Sequence, residues 1–497
     1  MLAQQRESTA PAAAATPADR PRTNFLFITA DDMNYDSPGV AGCPVPEITP
    51  NIDRLALGGM RFVHAHVTVA VCQPSRSVLM TGRYPHRNGA VGFNAVNADV
   101  PTLMERLKAA GFLLGILGKV SHLAPPAKFA WDMVHDAPAL GNGRDPARYG
   151  QFAREFFLRA RQEGRPFFLM ANSHDPHRPW ASTQAERARP AAGKGRAAKA
   201  ARAAEADAAG QPAESAAASA AAAPSRTYKA EEVTVPGFLP PLPEVRAEMA
   251  QYYSSVRRCD DTVGAVLRAL DESGQADATL VMLISDNGIS QPFAKSNCYL
   301  ASTRTPWLVR WPGRVRPGAV DQENFISGID FMPTVLEAAG LPLPDGMDGR
   351  SFLPLLRGER QDGRGRAVTV YHKTSAGKEY AMRCIQTARF GYIYNGWSDG
   401  RTLYRSEPMG GLSYRAMEAA AASDPAVASR VELLLKRVPE EFYDVQADPC
   451  CLKNLVAEAS VQAEVRRFRA DLARWMADTG DPLAETYRRH LAAAGKG

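Results

Sequence analysis

Short, continuous apolar segments that alternate with helical patterns constrain the fold of this chain most strongly. The segments typical of buried strands are Asn24–Ala30 (NFLFITA), Phe112–Leu117, Phe167–Ala171 and Leu280–Ile284. Apolar residues at helical spacing lie between them, over Pro101–Ala110 and Ala250–Leu270. Strands that are apolar on both faces are typical of parallel sheets with helices on both sides. The sequence therefore predicts a doubly wound α/β core with a mostly parallel sheet.

The pattern changes after about residue 365. The segments AVTVYHK, YAMRCIQT and GYIYN are typical of short antiparallel strands, and a closing helix is predicted near Val461–Ala477. We therefore expect a larger domain over residues 23–365 and a smaller C-terminal α+β domain, with a short antiparallel sheet, over residues 366–497. Residues 1–22 are predicted to be disordered, as is an alanine-rich insertion at about 184–226 that has no apolar periodicity.

Composition excludes several classes of function. Hydrophobic residues make up 45% of the 497 residues and charged residues 23%, as in ordinary globular proteins. No apolar run approaches the roughly 18–20 residues that span a bilayer, so no membrane segment is expected. Part of the net charge of +6 lies in the alanine-rich insertion, so nucleic-acid binding has little support. The first residues lack the apolar core of a secretory signal, which predicts a cytoplasmic protein. If a signal has been lost from this N-terminus, the protein is expected to be periplasmic or secreted.

Polar side chains follow the predicted strands at the points where these strands end. They are Asp31 and Asp32, then Lys119 with His122, then His174 with Asp175 and His177, and finally Asp286 with Asn287. Ligands of open α/β sheets bind beyond the carboxyl ends of the strands, so we expect these side chains to surround one site.

The residue types at these strand ends indicate a metal and an anion. Asp31, Asp32, Asp286 and Asn287 offer hard oxygen ligands, which select calcium or magnesium, and carboxylates crowded together need a cation. The histidines are then free for proton transfer or anion contact. Lysines and an arginine beside such a metal favour an anionic substrate, such as a phosphate or sulfate ester.

Cys72 lies in a segment of unusual composition, AVCQPSRSVLMTGRYPHRNG. Pro74 is favourable near a helix start, and we expect Ser77–Thr81 to form the first turns of a helix. Cys72 would then lie near a helix N-terminus, where anions are favoured. One interpretation is a thiolate nucleophile with a lowered pKa.

The segment from Cys72 to Arg76 (CQPSR), followed by LMTGRYPHRNG, resembles the signature of the type I, formylglycine-dependent sulfatase family. The segments ADD at residue 30, TPNIDRLALGGMRFVHAH at residue 49, HDPHRPW at residue 174 and SDNG at residue 285 are similar to other parts of that family, in the expected order. Within the family, HDPHRPW, SDNGISQPFAKSNCYL and YAMRCIQT are most similar to the heparan N-sulfatase (sulfamidase) group.

The resemblance implies an alkaline-phosphatase-like fold, one calcium ion and a formylglycine made from Cys72 by a separate formylglycine-generating enzyme. The hydrated formylglycine would attack sulfur, and its second hydroxyl would then expel sulfate. The implied metal ligands are Asp31, Asp32, Cys72, Asp286 and Asn287. The implied catalytic residues are Cys72, Arg76, Lys119, His122, His174 and Lys295.

Several alternatives stay open at this level. A sulfamidase acting on N-sulfoglucosamine at a chain end and an O-sulfatase on a sulfated glycan would share one core. The spacing Lys119-x-x-His122 is more like the iduronate-2-sulfatase group, which leaves the substrate open. A phosphonate or phosphodiester hydrolase is a second enzymatic alternative. The non-enzymatic alternative is a protein that binds sulfated glycans and whose Cys72 is not converted to formylglycine. The oligomeric state is also open, with a homodimer as one option.

Overall fold

The computed structural model describes residues 23–183, 186 and 221–494. The predictions of disorder for residues 1–22 and for most of 184–226 lie outside the described residues. The strands are β1 (Asn24–Ala30), β2 (Met60–His66), β3 (Leu113–Leu117), β4 (Met133–His135), β5 (Phe167–Asn172), β6 (Thr279–Ser285), β7 (Trp307–Arg310), β8 (Ala319–Ser327), β9 (Arg366–Lys373), β10 (Glu379–Thr387), β11 (Phe390–Asn395) and β12 (Glu440–Asp444).

Helices connect the strands and cover the sheets. The α-helices are α1 (Pro50–Leu57), α2 (Cys72–Thr81), α3 (Pro85–Asn88), α4 (Leu103–Ala109), α5 (Pro146–Glu163), α6 (Pro243–Glu272), α7 (Leu300–Thr303), α8 (Phe331–Ala338), α9 (Leu353–Leu356), α10 (Leu412–Ala420), α11 (Pro425–Lys436), α12 (Gln462–Thr479) and α13 (Ala484–Ala494). Among the described helices, none is both long enough and apolar enough to cross a bilayer.

The larger sheet has eight strands in the order β4-β3-β5-β1-β6-β7-β2-β8. All neighbours pair in parallel except β7, which is antiparallel to both β6 and β2. The central position of β1, between β5 and β6, brings the carboxyl ends of these three strands to one edge. The doubly wound, mostly parallel sheet predicted from the apolar segments is confirmed.

The two faces of this sheet carry separate apolar cores. Along β1, Phe25 and Phe27 point into one core, and Leu26 and Ile28 point into the other. Helices α4, α8 and α9 cover the first face, whereas α1, α5 and α6 cover the second. The ring of Phe27 lies 4.2 Å from that of Phe331 in α8. Burial on both sides explains why the strands are apolar without alternation.

The C-terminal region contains a second sheet of four antiparallel strands, in the order β12-β11-β10-β9. Helix α12 packs on it, with Phe468 edge-on to Phe442 at 5.4 Å. The backbone N–H of Val370 in β9 donates to the carbonyl of Thr68, just beyond β2, at 2.8 Å. Apolar residues of this region continue the core of one face of the larger sheet. The division into 23–365 and 366–497 stays a prediction.

Several element bounds differ from those expected. The long helix begins at Pro243 rather than Ala250, because proline is well suited to the first helical position. Strand β8 has no continuous apolar run to reveal it, since it is the edge strand and its middle is largely solvent-facing. Residues 221–226, assigned to the disordered insertion, are held in place, and Ser225 donates to Asp261 of α6 at 2.6 Å.

Candidate active site

The adjacent ends of β1 and β6 bring four predicted metal ligands together. Ala30 pairs with Ser285 in the parallel register, so Asp31 and Asp32 emerge beside Asp286 and Asn287. The backbone N–H of Asp32 donates to Oδ1 of Asp286 at 3.3 Å, and Nδ2 of Asn287 donates to Oδ1 of Asp32 at 2.6 Å. All four side chains are fully buried.

Helix α2 delivers Cys72 to this cluster. The Sγ atom of Cys72 lies 3.6 Å from Oδ1 of Asp31. The expectation that the first turns lie at Ser77–Thr81 is wrong, because the helix already begins at Cys72. Val71 is extended and its carbonyl accepts the first helical hydrogen bond, from Ser75 at 3.0 Å. Pro74 is tolerated in this first turn, where an N–H has no partner within the helix.

The donor set fits a divalent cation. Ligand atoms of Asp31, Asp32, Cys72 and His177 all lie within 4.8 Å of one another. Oδ1 of Asn287 is buried without a hydrogen-bond partner, which leaves an oxygen free for a metal. His177 was not among the predicted ligands, and its Nε2 lies 3.8 Å from Oδ2 of Asp32. The oxygen donors of Asp31, Asp32 and Asn287 are of the kind that calcium and magnesium prefer.

Three buried cations surround the carboxylates. Arg76 in α2 donates to Oδ2 of Asp286 through Nε at 3.1 Å and Nη2 at 2.7 Å. Lys119 forms an ion pair with Asp31, and Lys295 donates to Oδ2 of Asp32 at 2.8 Å. The exposed fractions of the Lys119 and Lys295 side chains are only 8% and 3%. Each of the three cations is thus paired with a carboxylate of the cluster, and Lys295 also pairs with Glu407.

Electrostatics divides the three carboxyl groups. Burial by itself raises the pKa of Asp31, but the charge of Lys119 and its neighbours outweighs it and holds that pKa well below the usual range. Burial raises the pKa of Asp32 and of Asp286 to about 6, and the charge of Asp31 adds to both. Neighbouring carboxyl groups repel each other when both are ionised, and a divalent cation between them stabilises the ionised form of both.

The thiol of Cys72 is poorly suited to act as a thiolate. Burial raises its pKa well above the ordinary value, and the charges of Asp31 and Asp286 add to this effect. Burial and the neighbouring carboxylates therefore give no support to the interpretation of Cys72 as a thiolate nucleophile.

Two predicted histidines present unpartnered nitrogens beside the cations. Nδ1 of His122 and Nε2 of His174 are buried and accept or donate no hydrogen bond within the described part of the chain. Burial lowers the pKa of both well below the usual value, and the charge of Lys119 adds to this, which favours the neutral form of both rings. Gly143 gives His174 its space, since a Cβ there would lie 2.2 Å from Cγ of the ring.

Sequence reasoning missed two residues that hold this cluster together. Asn172 ends β5 and accepts from Nη1 of Arg76 at 2.5 Å. A polar residue at the end of the apolar run FFLMAN was the available signal. Glu407 comes from the C-terminal region and lies 2.9 Å from Nζ of Lys295, and it also accepts from Ser290 at 2.8 Å. No strand or motif marked Glu407, because only the tertiary fold brings it to the site.

The chain is similar to known proteins over most of its length. The family model described as Sulfatase matches residues 23–341, and the model described as N-sulphoglucosamine sulphohydrolase, C-terminal, matches residues 288–404. The chain is 29% identical to human N-sulphoglucosamine sulphohydrolase, over 93% of this chain and 91% of that protein. It is 26% identical to an ulvan-active sulfatase of Formosa agariphila, over 93% of this chain and 82% of that protein.

A solved structure shares the fold. It is a protein in complex with its substrate D-glucosamine-2-N,6-O-disulfate, with a TM-score of 0.65 and 20% sequence identity, and the match covers 93% of this chain and 99% of that one.

Proposed function

The chain belongs to the sulfatase family, and we propose that within it the protein hydrolyses the sulfate ester or sulfamate of a sulfated sugar. N-sulfoglucosamine is the first candidate, because a human N-sulphoglucosamine sulphohydrolase is similar over nearly the whole chain and the matching C-terminal family model carries the same name. The observation that carries the proposal is the contact of Cys72 with Asp31, at 3.6 Å, inside a buried cluster of cations and carboxylates.

Calcium and formylglycine are general to the family, and we assign them to particular residues of this chain. One calcium ion would be held by Asp31, Asp32, Asp286, Asn287 and residue 72. When present, calcium supplies positive charge beside the sulfate, and formylglycine made from Cys72 supplies an oxygen nucleophile. This assignment requires a formylglycine-generating enzyme as a maturation partner.

The cations of the chain bind the sulfate. Arg76 keeps its two contacts with Asp286, so its charge is fixed in the cluster rather than free to reorient. Lys119 pairs with Asp31, and Lys295 pairs with Asp32 and Glu407. Because an ammonium group has three N–H donors, each lysine keeps at least one for a sulfate oxygen. Pre-oriented charges in a water-poor site stabilise charge that develops on the sulfate oxygens.

The histidines and Lys295 are assigned to the sulfate and to proton transfer. His174, two residues after β5, is assigned with Lys295 to hold the sulfate and to help protonate the leaving oxygen or nitrogen, the proton coming from the ammonium group of Lys295. His122 is assigned to take a proton from residue 72 when sulfate is released. The unpartnered nitrogen of His122 can accept this proton, because the lowered pKa favours the neutral ring, and that of His174 is free to contact the sulfate or the leaving group. Asp286 is assigned to accept the proton of the attacking hydroxyl.

The test begins with mass spectrometry of the peptide that contains residue 72, after co-expression with a formylglycine-generating enzyme. We expect loss of sulfur and two hydrogens with gain of one oxygen. Activity is then measured on N-sulfoglucosamine, glucosamine 6-sulfate, an iduronate 2-sulfate, a phosphodiester and a phosphonate monoester. Release of sulfate from a sugar supports the proposal, and the panel separates N-sulfate from O-sulfate cleavage.

Two variants serve as controls. Cys72→Ala removes the modified residue and is expected to abolish sulfate release. Cys259→Ala changes another buried free cysteine, in α6, and is expected to leave release and conversion unchanged. An unmodified Cys72, beside a control protein that is converted efficiently, would contradict the mechanism and favour a glycan-binding protein. Faster cleavage of phosphonate or phosphodiester than of any sulfate would contradict the substrate class.

A further inference from the structure

Phe93 is unusual among the aromatic residues. Of the phenylalanine, tyrosine and tryptophan side chains that the structure describes, it alone is exposed, with 37% of its surface accessible. A single exposed apolar side chain is ordinary in itself, so its meaning depends on where it lies.

Phe93 lies at the rim of the candidate active site. The carbonyl of Asn94 accepts a hydrogen bond at 3.1 Å from Nε2 of Gln73, the residue next to Cys72 in α2. The ring of Phe93 lies 6.1 Å from that of His122, at an interplanar angle of 67°. His122 in turn lies near the charges of Lys119 and Arg76. The exposed ring therefore stands where solvent meets the buried cluster.

The segment that carries Phe93 is held from two sides. Asn94 ties it to α2, as described above. On the other side the side chain of Lys373, at the end of β9, lies against Gly92, where a Cβ would be 2.6 Å from Cε of the lysine. Because this segment is packed between the core and the C-terminal sheet, its ring loses little conformational freedom, and so costs little entropy, when a ligand binds.

The buried cluster can recognise a sulfate, but it offers charged and polar groups almost exclusively. A sugar ring has, in addition, faces of C–H groups that pack on an aromatic ring. Binding sites commonly combine such an apolar surface with a few polar groups that fix orientation. The exposed ring of Phe93, 6.1 Å from that of His122, is an apolar surface of this kind next to the cluster.

We propose that Phe93 binds one face of the sugar ring that carries the cleaved sulfate, and so determines preference for saccharides. This inference rests on the proposed function. The ring would contact the sugar equally in the ground state and in the transition state, because it touches no reacting atom. Its removal should therefore raise KM and leave kcat nearly unchanged.

The test compares Phe93→Ala and Phe93→Trp with wild type, all with residue 72 converted. The substrate is N-sulfoglucosamine, or whichever sulfated sugar of the panel the wild type cleaves fastest. We expect Phe93→Ala to raise KM about tenfold with kcat within about twofold, and Phe93→Trp to keep KM near the wild-type value. Inhibition by inorganic sulfate should be the same in all three, since sulfate meets only the buried cluster.

Leu158→Ala is the matched control, because Leu158 is a large apolar residue of α5 that is 42% exposed. It should leave KM unchanged. Equal KM values for wild type and Phe93→Ala, on a sulfated sugar that the wild type cleaves, would overturn the inference and leave the proposed function standing. Loss of sulfate inhibition in Phe93→Ala would also overturn it, since the change would then act on the cluster itself. Failure of the converted wild type to cleave any sulfated sugar would overturn the proposed function and this inference together.

Discussion

Replacing Glu248 by glutamine should cost more stability than any change of an exposed carboxylate. Glu248 lies in α6 and is 2% exposed. Its carboxylate pairs with Arg178 and accepts from the backbone N–H of Leu412 at 2.9 Å, from that of Ser413 at 2.8 Å and from Nε2 of Gln291 at 3.0 Å. One buried carboxylate thus joins α6, the loop after β6 and the start of α10.

The pKa of Glu248 sets the magnitude. Burial by itself raises this pKa, but the hydrogen bonds and charge of Arg178, helped by Ser413, lower it from 4.5 to about 2. Such a lowering corresponds to about 3 kcal/mol of folding stability at neutral pH, since one pKa unit is worth about 1.4 kcal/mol. The pKa is lower in the folded than in the unfolded chain, so this stabilisation is complete above pH 4.5 and is lost as the pH falls towards 2.

Urea denaturation at two pH values measures the effect. Glu248→Gln should lower the free energy of unfolding by about 3 kcal/mol at pH 7 and by about half of that at pH 3. The matched control is Glu244→Gln, an exposed glutamate of the same helix, which should change stability by less than about 1 kcal/mol. Equal destabilisation by the two variants at pH 7 would refute the reasoning, as would a cost of Glu248→Gln that does not shrink on acidification.

Three further predictions concern the site. Arg76→Ala should lower kcat/KM at least about 100-fold and destabilise the fold by about 3 kcal/mol, because it leaves Asp286 buried without its cation. Arg76→Lys should lose less activity and less stability, and equal losses in the two variants would contradict a role for the two-point contact of Arg76 with Asp286. Removal of calcium with EGTA should abolish sulfate release and lower the melting temperature, and added calcium should restore both. Sulfate release in the absence of calcium would contradict the assignment of the metal ligands. His122→Ala should convert steady release into one turnover per enzyme, which a burst experiment detects, whereas continued turnover would exclude its role in sulfate release.

Much of the candidate site was predictable from local sequence. The continuous apolar runs before Asp31 and Asp286 predict two strands of one parallel sheet, and the carboxyl ends of parallel strands lie at the same edge. The structure adds that these two strands, β1 and β6, are neighbours. The segment CQPSR then indicates the family by its residues alone. The prediction of the parallel sheet is confirmed, because strands buried on both faces are recognisable from their own residues, without knowledge of the segments that pack on them. The expectation that Cys72 lies near a helix N-terminus is confirmed, whereas the first turns expected at Ser77–Thr81 begin too late in the chain, because an extended Val71 carries no sequence signal of its own.

Contacts between distant segments could not be read in this way. Glu407 meets Lys295, and Lys373 covers Gly92, only because the C-terminal sheet packs against the core. The exposure of Phe93 likewise depends on what surrounds it, since nothing in its own segment distinguishes an exposed phenylalanine from a buried one. The sequence by itself determined the parallel sheet, the residues at its strand ends and the family, because each is encoded in residues close in the chain. The tertiary structure alone decided which side chains complete and border the site, because these contacts depend on packing between segments far apart in sequence.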